Sequence, residues 1–151
     1  MKAPTLGNNT VMQVGIIVRD IESKARAWSE ILGLPMPDII ITDTADKTRA
    51  EYNGEPTTAR AKLAFFHMGQ LDVELIEPID GPSTWKDQLD GHGDSLHHIA
   101  FEIKGMNEKT AYLDSQGVPL LQRGEYTGGR YAYFDGGAQL GTILELLEND
   151  D

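Results

Sequence analysis

The chain has 151 residues, no cysteine, 13 basic and 24 acidic residues, and a formal net charge of -11. Its length suits one domain and its 40% hydrophobic fraction suffices for a core, while the absence of cysteine excludes disulfides, thiolate metal ligands and a cysteine nucleophile. The acidic balance argues against nucleic-acid binding, which needs clustered Lys and Arg, and no apolar run approaches the roughly 18–20 residues of a membrane span.

Met1 to Thr10 carries one lysine and no hydrophobic block, so it reads as an N-terminal tail and not as a secretory signal. A cytoplasmic protein is expected. Met12 to Val18 is a β-rich run. Ile21, Ala25, Trp28, Ile31 and Leu32 then recur at helical spacing, with Asp20 placed as N-cap and Gly33 at the helix end. Ile39 to Thr42 is a short β-branched segment. Thr44 to Ala59 is polar, contains Asn53-Gly54 and Pro56, and reads as a loop with room for one helical turn. Lys62 to Met68 and Leu71 to Ile76 flank Gly69-Gln70 as a hairpin. Pro78 to Pro82 reads as a turn, Ser83 to Leu89 as a short helix capped by Ser83 or Thr84, and Gly91 to Gly93 as a loop.

The second half repeats the order. His98 to Ile103 is a strand, and Asn107 to Gln116 a helix that ends at Gly117. Leu120-Leu121 is short and extended, Gly124 to Gly129 is a loop, and Tyr131 to Phe134 pairs with Thr142 to Leu147. Gln13-Val14-Gly15-Ile16-Ile17-Val18 aligns with His98-Ile99-Ala100-Phe101-Glu102-Ile103. Val73-Glu74-Leu75-Ile76-Glu77 aligns with Leu144-Glu145-Leu146-Leu147-Glu148. Each half therefore reads β-α-β-β-β. The alignment places residues 11–151 in one domain of two modules, about 11–80 and 96–149.

Polar residues recur at equivalent places in apolar strands: Gln13 and His98 at the start of the first strand of each half, Glu74 and Glu145 within the last. A charged carboxylate among Val73, Leu75 and Ile76 is costly unless it is solvated, paired or bound to a cation. Alternation puts Glu74 on one face with Asp72 and Ile76, and Glu145 with Ile143 and Leu147. A single such Glu could sit on a solvated sheet face. Two of them, with Gln13 and His98 at repeat-related positions, point to a metal site.

The segments QVGIIVRDIESKARAWSEILGLP, VELIEPIDGPSTWKDQL, LHHIAFEI, TGGRYAYF and GTILELLE resemble the vicinal oxygen chelate superfamily, which includes glyoxalase I and methylmalonyl-CoA epimerase. The resemblance implies an α+β fold in which paired βαβββ modules form a curled, half-barrel sheet around a metal. It implies the ligands Gln13, Glu74, His98 and Glu145, and one divalent ion among Mn, Co, Ni, Zn and Fe; the oxygen-rich set suits an octahedral ion better than zinc. Many epimerases carry histidine where Gln13 stands, whereas some glyoxalase I enzymes use glutamine. Phe134-Asp135-Gly136 also stands where epimerases often place a His-Pro-Lys turn, a loss that Lys62, Arg123 or Arg130 could compensate for an anionic thioester.

The activity implied is metal-dependent proton transfer next to a carbonyl, as in methylmalonyl-CoA epimerase, with Glu145 as a candidate base and a small carbonyl or thioester compound as substrate. Glyoxalase I chemistry and a non-catalytic binding or resistance protein of the same fold are the alternatives, and a homodimer is implied as the assembly. His97, on the opposite strand face, is expected to hold a structural hydrogen bond. A two-residue turn at Gly69-Gln70 would pair Phe65 with Glu74 and His67 with Asp72, turning His67 towards the metal side; an odd-numbered loop reverses this. His67, Trp85, Tyr126 and Arg130 are the pocket candidates, with Tyr131 and Tyr133 beside them, although aromatic strands also serve cores.

Overall fold

Each half of the chain builds its own run of strands, and the two runs join edge to edge through their first members. The computed structural model describes residues 4–151, so the first three residues of the predicted tail lie outside the described residues. In the first half, β1 (Gln13–Ile17), α1 (Ile21–Leu32), β2 (Ile40–Ile41), α2 (Ala45–Thr48), β3 (Glu51–Tyr52), β4 (Glu55–Pro56), β5 (Arg60–Met68) and β6 (Leu71–Asp80) follow in order. After α3 (Thr84–His92) come β7 (Ser95–Glu102), α4 (Met106–Ser115), β8 (Leu120–Tyr126), β9 (Gly129–Phe134), α5 (Gly137–Leu140) and β10 (Ile143–Asn149). The ten strands make one curled half-barrel sheet in the order β2-β5-β6-β1-β7-β10-β9-β8-β3-β4.

The register repeats the internal symmetry. β1 and β7 are antiparallel, with Gln13 opposite Ala100 and Gly15 opposite His98. On the outer side of each, a parallel neighbour brings a glutamate level with a small residue: Glu74 beside Gly15 and Glu145 beside Ala100. Two-residue alternation then separates the faces. Val73 and Leu75 point to the outer face, where they bury Ile21 and Ala25 of α1, and Leu144 and Leu146 meet Leu113 of α4 in the same way. Glu74, Ile76 and Glu145 take the concave face, where Ile17, Ile76, Trp85 and Tyr133 pack together.

Local signals set most element ends. Asp20 accepts a hydrogen bond from Ser23 N, Ser83 accepts from Lys86 N, and Gly33 closes α1 in the left-handed region. Glu77 and Glu148, equivalent in the repeat, each anchor a helix start. Glu77 Oε1 accepts from Ile21 N at 2.9 Å; Glu148 accepts from Gly105 N at 2.8 Å and Met106 N at 3.2 Å. An anion at this place complements the helix dipole. Ile31, expected on the apolar stripe of α1, is 81% exposed, and Leu32 beside it 48%.

Four segments depart from the sequence reading. Thr44 to Ala59 is no loop: after α2, Asn53 and Gly54 at φ 53° and 81° turn a two-stranded hairpin. That hairpin pairs with β8 of the other half, Glu51 opposite Arg123 and Tyr52 opposite Gln122, so the connection straps across the sheet. β6 continues through Pro78 to Asp80, past the end of its β1 partner, where a missing N–H breaks no ladder. α3 continues through Gly91 to His92, and β8 continues through Gly124 to Tyr126 because β9 pairs with it to the end. No helix of the described residues is long and apolar enough to cross a membrane. Leu75 has no exposed surface, so Leu75→Ala should lower unfolding free energy by about 2–5 kcal/mol, measurable by urea denaturation.

Candidate metal centre

The four polar residues of the repeat meet at the middle of the concave face. β1 and β7 carry Gln13 and His98 at the centre, and β6 and β10 flank them with Glu74 and Glu145. All four are buried, with 7%, 6%, 2% and 4% exposure for Gln13, Glu74, His98 and Glu145. His98 Nε2 lies 2.9 Å from Gln13 Oε1, 3.2 Å from Glu145 Oε1 and 3.7 Å from Glu74 Oε1. One ligand atom from each of Glu74, His98 and Glu145 falls within 4.8 Å of the others, so these three could hold a divalent metal.

The donor set fits such an ion. Gln13 Oε1 faces only acceptors; turned over, the amide would place its nitrogen 3.2 Å from Glu74 Oε1 and 2.8 Å from Glu145 Oε1. Oxygen inward is the orientation a cation requires, and nitrogen inward the one that satisfies the metal-free cluster. The contacts of the histidine admit the ligating tautomer. Its Nδ1 lies 2.8 Å from His97 Nδ1, and His97 Nε2 lies 3.2 Å from Thr84 Oγ1. With Nδ1–H of His98 donating to His97, and His97 protonated on Nε2, the lone pair of His98 Nε2 points into the cluster. Tyr133 packs on both imidazoles with ring centroids 5.0 Å away, and its hydroxyl accepts from Trp85 Nε1 at 3.1 Å.

Gly15 is a residue that the sequence reading passed over. A Cβ there would stand 2.1 Å from His98 Cε1, so the imidazole lies directly over a backbone that only glycine leaves clear. A glycine within an apolar strand, aligned to Ala100, was the available signal.

Burial controls the protonation of the cluster. It pushes Glu145 up to about 8 against a partial offset from the Tyr133 hydroxyl. It pushes Glu74 well above the usual carboxylate range, with the charges of Glu145 and Asp72 adding to it. It pushes His98 down to about 3.

A cavity of about 500 Å³ opens above the cluster. Gln13, Glu74 and Glu145 form part of its wall, with Trp85, Tyr126, Tyr131 and Tyr133, and the strap contributes Thr48, Ala50 and Ala59. Trp85 and Tyr126 thus lie where pocket residues were expected. The other two candidates do not line it. The hairpin has the two-residue turn and the register Phe65 to Glu74 and His67 to Asp72, yet His67 sits at its solvent end, with an 85% exposed side chain paired to Asp72 at 2.7 Å. Arg130 is drawn outward to Glu148 at 3.0 Å and to Asp150, the pairing that steadies the α4 anchor.

A family model described as the glyoxalase/bleomycin resistance protein/dioxygenase superfamily matches residues 12–134. The chain belongs to this superfamily. Among curated relatives it is 27% identical to the uncharacterized protein YqjC of Bacillus subtilis (strain 168), over 93% of this chain and 92% of that one. It is 26% identical to a 2-epi-5-epi-valiolone epimerase of an Actinomyces species, over 93% and 80% of the two chains. Among solved structures, methylmalonyl-CoA epimerase from Mycobacterium tuberculosis superposes with a TM-score of 0.62 at 22% identity, covering 100% of this chain and 94% of the other. At that identity the likeness concerns the superfamily fold.

Two outcomes follow from the centre. Gly15→Ala must displace the His98 ring, so the purified variant should retain at least tenfold less divalent metal by elemental analysis; unchanged occupancy would contradict the packing. The raised carboxyls bind protons more tightly folded than unfolded. Their contribution to the metal-free fold is therefore present below the unfolded value of 4.5 and is lost as pH rises, for Glu145 through about 8. His98 acts oppositely: its contribution is present above the unfolded 6.5 and is lost as pH falls towards about 3. A cation replaces the carboxyl protons, so the rise in melting temperature caused by Mn²⁺ should grow from about pH 5 to about pH 8. A shift that shrinks over that range would remove Glu74 and Glu145 from the ligand set.

Proposed function

We propose that the protein is a metal-dependent epimerase or isomerase that moves a proton next to a carbonyl, with Gln13, Glu74, His98 and Glu145 as ligands and Glu145 as a base. The observation that carries this reading is the convergence of two buried carboxylates, one imidazole and one amide on the floor of a cavity of ligand size. The epimerase named among its relatives, and the solved structure of a methylmalonyl-CoA epimerase in complex with methylmalonyl-CoA, support the reaction class. A divalent ion held there would polarise the substrate carbonyl as a Lewis acid.

The chain's own residues do the rest. Glu145 takes the proton as the C–H bond beside the carbonyl breaks, and the electron pair moves to the carbonyl oxygen. Return of a proton to the other face inverts the carbon. Burial raises the proton affinity of Glu145, while a neighbouring cation and the Tyr133 hydroxyl lower it. These opposed effects suit a base working near neutral pH. Trp85, Tyr131 and Tyr133 pack against one another and form an aromatic wall beside the cluster. Glu74, on the other flank of the β1–β7 pair, is the carboxylate placed to serve the second face.

Solvent-deuterium exchange tests the reading. Metal-loaded protein in D2O should label the carbon next to the carbonyl in at least one of methylmalonyl-CoA, a methylglyoxal–glutathione hemithioacetal and an uncharged hydroxyketone. Glu145→Gln should slow the label by roughly 100-fold or more with the fold intact by circular dichroism. Labelling at the wild-type rate in Glu145→Gln would remove it as the base, and no labelling of any carbonyl would favour a binding protein.

A further inference from the structure

The walls of the cavity restrict what it accepts. Among the described residues that line it there is no lysine or arginine. Asp43 and Glu125 are further acids of the wall, and neither makes an ion pair among the described residues. The three cations that could have received an anionic thioester are committed to other acids. Lys62 pairs with Glu77 at 3.6 Å, Arg123 with Glu51 at 3.7 Å, and Arg130 with Glu148 at 3.0 Å. With a divalent cation balancing Glu74 and Glu145, a phosphate or carboxylate entering this space would find no cationic side chain on the wall and would face Asp43 and Glu125.

Other features of the wall ask for hydroxyl groups. Thr48, on the strap, is 8% exposed, and its buried hydroxyl has no hydrogen-bond partner among the described residues. Thr48 is part of the cavity wall, so a χ1 rotation that brought this oxygen to the cavity would give it a ligand hydroxyl as partner. Unpaired carboxylates at Asp43 and Glu125 can accept hydrogen bonds from hydroxyl groups, and Trp85, Phe65 and Tyr126 offer apolar ring surface to the carbon skeleton.

We propose that the cavity takes an uncharged, polyhydroxylated ketone of sugar size, with Thr48 as a specificity-determining contact, in place of an acid or a coenzyme A thioester. The proposal rests on the proton-transfer reading for its reaction, but ligand choice is measured separately, by binding. Calorimetry on Mn²⁺-loaded protein compares 2-keto-myo-inositol, its hydroxyl-free analogue cyclohexanone, and methylmalonyl-CoA. The expected order places the keto-inositol tightest, at least tenfold ahead of either other ligand. Thr48→Val should weaken it about 5- to 10-fold and leave cyclohexanone unchanged. Asp43→Lys with Glu125→Lys should raise methylmalonyl-CoA affinity several-fold at low salt, an effect that fades with added salt.

Tighter binding of methylmalonyl-CoA than of the keto-inositol by the wild type would overturn the proposal. So would equal binding of the keto-inositol and cyclohexanone. If the keto-inositol binds tightly but exchanges no deuterium, the ligand class stands and the proton-transfer reading falls. If only methylmalonyl-CoA exchanges and binds, the reaction stands and the ligand class falls.

Discussion

Two carboxylates buried beside each other at the centre of an apolar sheet are the constraint around which this protein is arranged. Water cannot solvate them there, and their mutual repulsion falls to whatever lies between them. Protons meet the demand only by holding Glu74 and Glu145 in neutral form well above their ordinary range. A cation meets it with the charges retained. Everything adjacent is consistent with the second solution. Burial holds His98 neutral, the chain through His97 to Thr84 admits the tautomer with its lone pair inward, and Gln13 brings an amide that can present oxygen. Gly15 leaves the backbone bare where the imidazole must lie.

The duplication makes that arrangement simple to build. One helix–strand unit cannot surround a cation, because its sheet offers only one flank. Joining two units through β1 and β7 puts an amide and an imidazole at the centre and a glutamate on each side, all from one alternation rule. The same strands send Leu75 and Leu146 to the opposite face, where α1 and α4 cover them. Glu77 and Glu148, three residues beyond the cluster glutamates, then tie those helices down at their first turns. A short motif thus carries a cluster carboxylate, a core residue and a helix anchor in succession, twice.

Symmetry ends at the strap. The connection from β2 to β5 leaves the first half, pairs with β8 of the second and returns, so one wall of the cavity comes from a segment with no counterpart in the repeat. It brings Thr48, Ala50 and Ala59 over the cluster. At a loop-borne wall such as this, substrate chemistry can diverge without disturbing the strands that carry the cluster.

The sequence by itself determined the repeat, the strand faces and the four polar residues, because period-two alternation and the cost of burying a lone carboxylate are local facts. At Gly69-Gln70 it left two registers open, and the two-residue turn that chose between them is a finding of the structure. It did not determine which cations were free. Arg130 and Lys62 look alike in the sequence, yet each is drawn to a glutamate on a neighbouring strand, a partner defined only when the strands align. His67 has the right register but stands at the open end of its hairpin, where solvent and Asp72 take it. The strap read as a loop because its hydrogen bonds go to a strand about 70 residues away, and non-local pairing leaves little trace in local composition. Whether the wall above the centre is acidic, aromatic or cationic was decided by that pairing, and only the tertiary structure contains it.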